Sequence, residues 1–244
     1  MTELLTLAHD GTRLAFRHRP GAGPTVVFLP GYMSDMGSTK AAALDEWAAA
    51  CGLAYLRLDY SGCGASGGDF AEGTISRWTG DARAMIDAVT DESVVLVGSS
   101  MGAWIALRLA LAMRDRVAAV VTIAGAPDFT DWGLDLTDAD HAALARDGYV
   151  ERPSAYGEPY RYHAGLIADG AANRVLGGAI DIGCPVRLLH GQADPDVPWR
   201  LSLDVAQAVR SSSVQVVLVK DGDHRLSRPK DLRLLATVLD SLEA

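Results

Sequence analysis

"LVGSSMGAWIAL" (residues 96–107) passes from an aliphatic run, through small residues, into an apolar stretch with helical spacing. Gly98, Ser100 and Gly102 fit the pattern G-x-S-x-G. A serine at such a strand-to-helix turn takes a strained backbone conformation that projects its hydroxyl from the end of a sheet. Side chains at 98 and 102 would collide with the crossing backbone, hence glycine at both. The helix that begins at once also turns N–H groups and a partial positive charge toward that hydroxyl. Ser100 is therefore the candidate nucleophile, and the rest of the chain must supply its partners.

Similar apolar runs of strand length recur at 13–18, 25–30, 54–60, 93–98, 117–125, 185–191 and 214–222. Most are apolar on both faces, as expected of strands covered by helices on either side. Helical patterns lie between them, over Thr39–Cys51, Thr74–Val89, Met101–Met113, Trp199–Val209 and Lys230–Leu242. This alternation predicts an α/β fold with a mostly parallel, doubly wound sheet in one domain spanning 1–244. Residues 126–182 break the rhythm. They show no convincing strand and carry ten acidic residues against four arginines, −6 of the net −9. They also hold Phe129, Trp132, Tyr149, Tyr156, Tyr160 and Tyr162. A long excursion between two strands is expected to be a small lid insertion.

Composition narrows the function. A chain of 244 residues buries about three quarters of its unfolded surface and needs no disulfide or metal staple. Cys51, Cys63 and Cys184 form an odd set without paired spacing and read as small packing residues in a reducing compartment. A net charge of −9 disfavours nucleic acid as a partner. No apolar run approaches the ~20 residues of a membrane span. The N-terminus lacks a signal-like pattern, so a cytoplasmic protein is expected. A second glycine cluster, Gly62-Cys63-Gly64-Ala65-Ser66-Gly67, has the form G-x-G-x-x-G, but "GDFAEG" follows in place of a helix. It reads as a turn at the sheet edge, near the pocket rim, and not as a dinucleotide site.

A serine hydroxyl needs a base to take its proton and a carboxylate to orient that base. At strand–turn–helix serine sites the chain order is serine, acid, histidine. His141, His163, His190 and His224 follow Ser100. The first two fall in the insertion, and His190 ends a strand before the turn that holds the acids. His224, just past the last strand, is the candidate base. Asp194 and Asp196 lie in "HGQADPDVPW". Pro195 biases Asp194 toward an extended backbone, and a tight turn there aims its carboxylate inward. Asp196 is expected to cap the helix near Pro198, so Asp194 is the chosen acid. Asp223 reads as a turn residue. The Met101 N–H, with the Tyr32 N–H from the loop after "VVFLPG", supplies the oxyanion donors.

The stretches "FLPGYMSDMGSTKA", "RLDYSGCGASGG", "LVGSSMGAW", "CPVRLLHGQADPDVPW" and "DGDHR" give the chain a resemblance to the α/β-hydrolase superfamily along nearly its whole length. Within it, the chain is similar to the mitochondrial and bacterial group of palmitoyl-protein thioesterases and acyl-glucuronide esterases. The resemblance implies the α/β-hydrolase fold, with Ser100, Asp194 and His224 as triad, Tyr32 and Met101 at the oxyanion hole, and a small lid after "TIAGAP". It implies a serine hydrolase acting on acyl thioesters, including S-acylated proteins, without metal or organic cofactor. A small-molecule carboxylesterase is the enzyme alternative, and a ligand-binding hydrolase-fold protein without catalysis is the alternative outside enzymes.

Overall fold

A computed structural model describes residues 2–154 and 158–242. Strands β1 (Leu5–His9) and β2 (Thr12–Arg19) form an antiparallel hairpin. Its two-residue turn, Asp10-Gly11, has φ of 44° and 75°, the positive values that a tight hairpin with right-handed twist requires. The strand–helix alternation then begins with β3 (Ala22–Leu29), α1 (Thr39–Cys51), β4 (Leu53–Asp59) and α2 (Ile75–Val89). It continues through β5 (Val94–Ser99), α3 (Met101–Ala112) and β6 (Val117–Ile123). After the insertion come β9 (Val186–Gly191), α7 (Arg200–Ala208), β10 (Val214–Val219) and α8 (Pro229–Asp240).

The eight strands lie in the order β1-β2-β4-β3-β5-β6-β9-β10. Pairings β1–β2 and β2–β4 are antiparallel, and all others in this sheet are parallel. Alternate residues feed two cores, because strand side chains alternate faces. Val26 and Phe28 pack with Ala41, Leu44 and Ala48 of α1 and with Leu235, Val238 and Leu239 of α8. Val27 and Leu29 belong to the other layer, with Trp78 of α2, Trp104 and Leu107 of α3, and Val205 of α7. The α/β-hydrolase fold expected from the sequence is the fold observed.

The insertion departs from the sequence reading. It contains α4 (Phe129–Trp132), α5 (Asp138–Asp147), β7 (Tyr149–Arg152), β8 (Tyr160–His163) and α6 (Ala164–Ala172). The two strands form a separate antiparallel ribbon, pairing Tyr149 with His163 and Arg152 with Tyr160. Expecting no strand here was wrong, because "YVER" and "YRYH" mix charge with aromatics and lack the aliphatic signal of the main sheet. Tyr156 lies outside the described residues. The insertion is fastened from within and without: the buried Asp128 carboxylate accepts from Val175 and Leu176 N–H, and the Trp104 indole donates to the Asn173 carbonyl over 3.0 Å.

The glycine cluster at 62–67 is a turn at the end of β4. Gly62 N–H donates to Gly67 O over 2.8 Å, and Ala65 N–H donates to the Asp59 carboxylate over 2.8 Å. None of these residues lines the cleft described below, so the pocket-rim expectation fails. The cysteine expectation holds for buried Cys63 but not for Cys51, which is exposed; all three thiols are free.

Candidate active site

Ser100 sits between β5 and α3 at φ 54° and ψ −119°. A non-glycine residue there is strained, and the surroundings must over-determine it. They do so with backbone. A Cβ on Gly98 would lie 2.3 Å from Gly102 O, and one on Gly102 would lie 2.1 Å from Leu29 O. Only glycine at both places lets α3 start this close to β3 and β5. Ser100 N–H also donates to Ile123 O of β6 over 2.9 Å.

Three loops at the carboxyl ends of parallel strands meet at this serine. His224 follows β10, and its Nε2 lies 3.1 Å from Ser100 Oγ. Its Nδ1 lies 2.8 Å from Asp194 Oδ2, in the loop after β9. The Asp194 side chain is fully buried, whereas that of His224 keeps 17% of its surface exposed. Burial opposes the Asp194 charge, but hydrogen bonds from His190 and His224 outweigh it and hold the carboxyl well below the usual carboxylate range. The other carboxylate oxygen, Oδ1, accepts from the N–H groups of Asp196 and Val197 over 2.8 and 2.9 Å. With these donors the carboxylate cannot swing away from the imidazole.

Asp196 does not cap α7. That helix starts from Trp199 without a side-chain cap, and Asp196 lines the cleft instead. Asp223 is a turn residue as expected, accepting from Leu226 N–H over 2.9 Å. His141 is exposed on α5, and His163 stands at the N-terminus of α6. Asp194, Asp196 and His224 each put a potential metal-ligating atom within 4.8 Å of the others. Asp194 Oδ2 is already shared by two imidazoles, however, and hydrogen bonds account for the placement of Asp194 and His224.

Tyr32 and Met101 face the same cleft as Ser100. Met101 is the first residue of α3, so its N–H has no intrahelical acceptor. Gly31 lets the Tyr32 loop approach, since a Cβ there would lie 3.2 Å from Ser100 Cβ. The Tyr32 ring stacks on Tyr162 at 4.9 Å and 14°, and its hydroxyl donates to Arg161 O on β8. The segment expected to be a lid thus touches the residue expected to give an oxyanion donor.

The cleft holds about 880 Å³. Tyr32, Phe129, Trp132, Tyr160 and Tyr162 form an aromatic wall, and Ser34, Ser38, Thr39, Lys40 and Ser227 form a polar one. Lys40 Nζ donates to Arg225 O over 2.6 Å and so braces the His224 loop against α1. Sequence reasoning missed this lysine, the tyrosines' grouping, and His190 as a contact of Asp194. Only His190 left a readable signal, its place at a strand end four residues before the acid.

The chain belongs to the alpha/beta hydrolase family, whose model matches residues 26–233. Family and fold together make it a hydrolase. It is 38% identical over 237 residues to the Bos taurus protein named palmitoyl-protein thioesterase ABHD10, mitochondrial, covering 96% of this chain and 77% of that relative. Among solved structures, one from Agrobacterium vitis S4 is 44% identical with a TM-score of 0.94, covering 99% of this chain and 98% of that one. The mouse alpha/beta hydrolase domain-containing protein 10 is 36% identical with a TM-score of 0.91, covering 98% of each chain.

Proposed function

We propose that this hydrolase cleaves acyl thioesters or esters through an acyl-enzyme on Ser100, with acyl-protein thioesters as the favoured substrates. The observation that carries the mechanism is the unbroken chain from Ser100 Oγ to His224 (3.1 Å) to Asp194 (2.8 Å), at a strained turn on an open cleft. His224 Nε2 takes the Ser100 proton as Oγ attacks the acyl carbon. The N–H groups of Met101 and Tyr32 stabilise the oxyanion that forms. The same imidazole protonates the departing thiolate or alkoxide, then activates water, which releases the acid and restores the serine. Asp194 holds His224 in the tautomer that leaves Nε2 free to accept.

The thioester preference rests on the named relatives. Residues 126–182, in one hydrolase domain, act as a lid whose Tyr160 and Tyr162 wall the acyl chain. The second reading is a small-molecule carboxylesterase, favoured by the polar wall around Lys40, which suits a hydrophilic leaving group. A fluorophosphonate probe tests the chemistry: it should label Ser100, and Ser100→Ala should lose both label and turnover. Labelling of a different serine would sink the assignment. Matched thioesters and oxygen esters over several acyl lengths then separate the two readings, and oxygen esters turned over faster at every length would favour the carboxylesterase.

A further inference from the structure

The proposed mechanism leaves one buried imidazole without a role. His190, at the end of β9, is fully buried. Its Nε2 lies 3.2 Å from Asp194 Oδ2 and 3.2 Å from Val197 O. Both neighbours only accept hydrogen bonds, so Nε2 must carry the proton. On the opposite side of the ring, Nδ1 lies 2.8 Å from the hydroxyl of Ser202, a buried residue on α7. That hydroxyl rotates to suit, and by donating to Nδ1 it satisfies the ring on both sides. We propose that His190, fixed by Ser202, is a positioning residue whose Nε2–H is the second imidazole donor to Asp194.

The two imidazoles meet the same oxygen. Asp194 Oδ2 accepts from His224 Nδ1 over 2.8 Å and from His190 Nε2 over 3.2 Å. Two effects follow. The carboxylate is pinned in the plane that serves His224, because its remaining oxygen is held by backbone N–H groups. Its charge on Oδ2 is also divided between two donors, so it draws less strongly on the His224 proton. His190 thereby moderates the pull of the acid on the base. A core histidine needed only for packing would have no reason to aim a donor at the acid; hydrophobic residues of similar volume would fill the space without a buried polar atom to satisfy.

Other charged or titratable groups near this pair are Asp196 on the acid's own loop, Asp223 and Arg225 flanking His224, Tyr162 on β8, and Lys40 from α1, bonded to Arg225 O. All remain in the variants below, so a change between variants reports on His190.

The inference rests on the serine-hydrolase reading, and the experiment separates the two. The acid limb of kcat/KM is measured for wild type, His190→Leu, His190→Gln and Ser202→Ala. Without the second donor, Asp194 stabilises the His224 imidazolium more strongly. The acid limb of His190→Leu should therefore move to higher pH by roughly half a unit to one unit, with kcat/KM down about tenfold. Glutamine can return an N–H to the same carboxylate and should bring the limb back. Ser202→Ala leaves Nδ1 without its partner and loosens the ring against Asp194, and should move the limb part of the way. A structural role alone would lower stability and leave the limb in place. Nitrogen-15 NMR of the wild type covers the case in which His190→Leu fails to fold: His190 should keep its Nε2 proton, and an unprotonated Nε2 would overturn the inference. An active wild type labelled at Ser100 with a limb unmoved in His190→Leu would overturn this inference alone. A wild type without labelling at Ser100 would overturn both.

Discussion

Asp194→Asn tests the steering of the base most directly, and the structure fixes how the amide must sit. One carboxylate oxygen holds the N–H groups of Asp196 and Val197, and the other holds His224 and His190. An amide has a single acceptor oxygen. Turned so that its NH₂ meets the two backbone N–H groups, it would strand buried donors at about 1–3 kcal/mol each. Turned the other way it keeps both backbone bonds and presents NH₂ to His224 Nδ1. The second orientation wins, and His224 must then accept at Nδ1 and carry its proton on Nε2. That N–H points at Ser100 Oγ, so the imidazole can no longer take the serine proton. The loss in kcat should be of order 10⁴, the size found when a triad acid becomes its amide, or about 5.5 kcal/mol. The assay is steady-state hydrolysis of an activated ester, with fluorophosphonate labelling as a second measure. Asp223→Asn, altering a turn acceptor beside His224, should stay close to wild type. The fold should also lose part of its acid sensitivity. The Asp194 carboxyl lies below its unfolded value, so its ionised form adds stability above about pH 4 that disappears as pH falls toward the folded value. Asparagine removes that slope. A folded Asp194→Asn enzyme within about thirtyfold of wild type would refute the reasoning.

Gly102→Ala should destabilise by about 1–3 kcal/mol or more, because the new Cβ would meet Leu29 O at 2.1 Å and Pro30 O at 2.6 Å, both backbone atoms. Gly80→Ala on α2 is the control, since its Cβ meets only His9 Nε2 at 3.9 Å; equal melting temperatures for the two variants would contradict the packing argument. Lys40→Met should slow turnover by loosening the 225–227 loop, and it should change the alkaline stability profile. Burial pushes the Lys40 ammonium down to about 8, with Arg225 adding to the effect. The unfolded chain holds that proton up to about pH 10.4, so between those values Lys40 makes stability rise with pH. The difference between wild-type and Lys40→Met melting temperatures should grow over that window, and a constant difference would place Lys40 elsewhere. Arg152→Ala removes a paired contact with Asp140 and two bonds to Leu134 O. Limited proteolysis should then cut faster within 134–152, and an unchanged cleavage rate would show that this contact does not hold the ribbon.

How much of this was legible depends on where each signal is stored. The central parallel strands are buried on both faces and announce themselves as aliphatic runs; helix α1 ends on Gly52 in the left-handed conformation, φ 71°, and its expected bounds, Thr39–Cys51, match those observed. The meeting of Ser100, Asp194 and His224 could be anticipated because each lies just beyond a strand that the hydrophobic pattern marks. Parallel topology sends all three strand ends to one edge, so locating the strands nearly locates the site. The ribbon of β7 and β8 carries no such local pattern. Its Tyr162 is explained by stacking on Tyr32, far away in sequence, and its Arg152 by a pair with Asp140 on α5. The first strand, "LTLAH", is short and mostly solvent-facing, and it lacks the aliphatic run that marks the core strands. His190 shows the same division inside the site itself. Its position at a strand end was visible, but its contact with Asp194 depends on a loop that folds back within four residues, and its orientation depends on a hydroxyl from the following helix. Chemistry tied to the ends of buried strands is written locally. The substrate wall and the groups that hold the acid in place are written in contacts between elements, so it is there that relatives sharing these strands can differ in what they bind and at what pH they work.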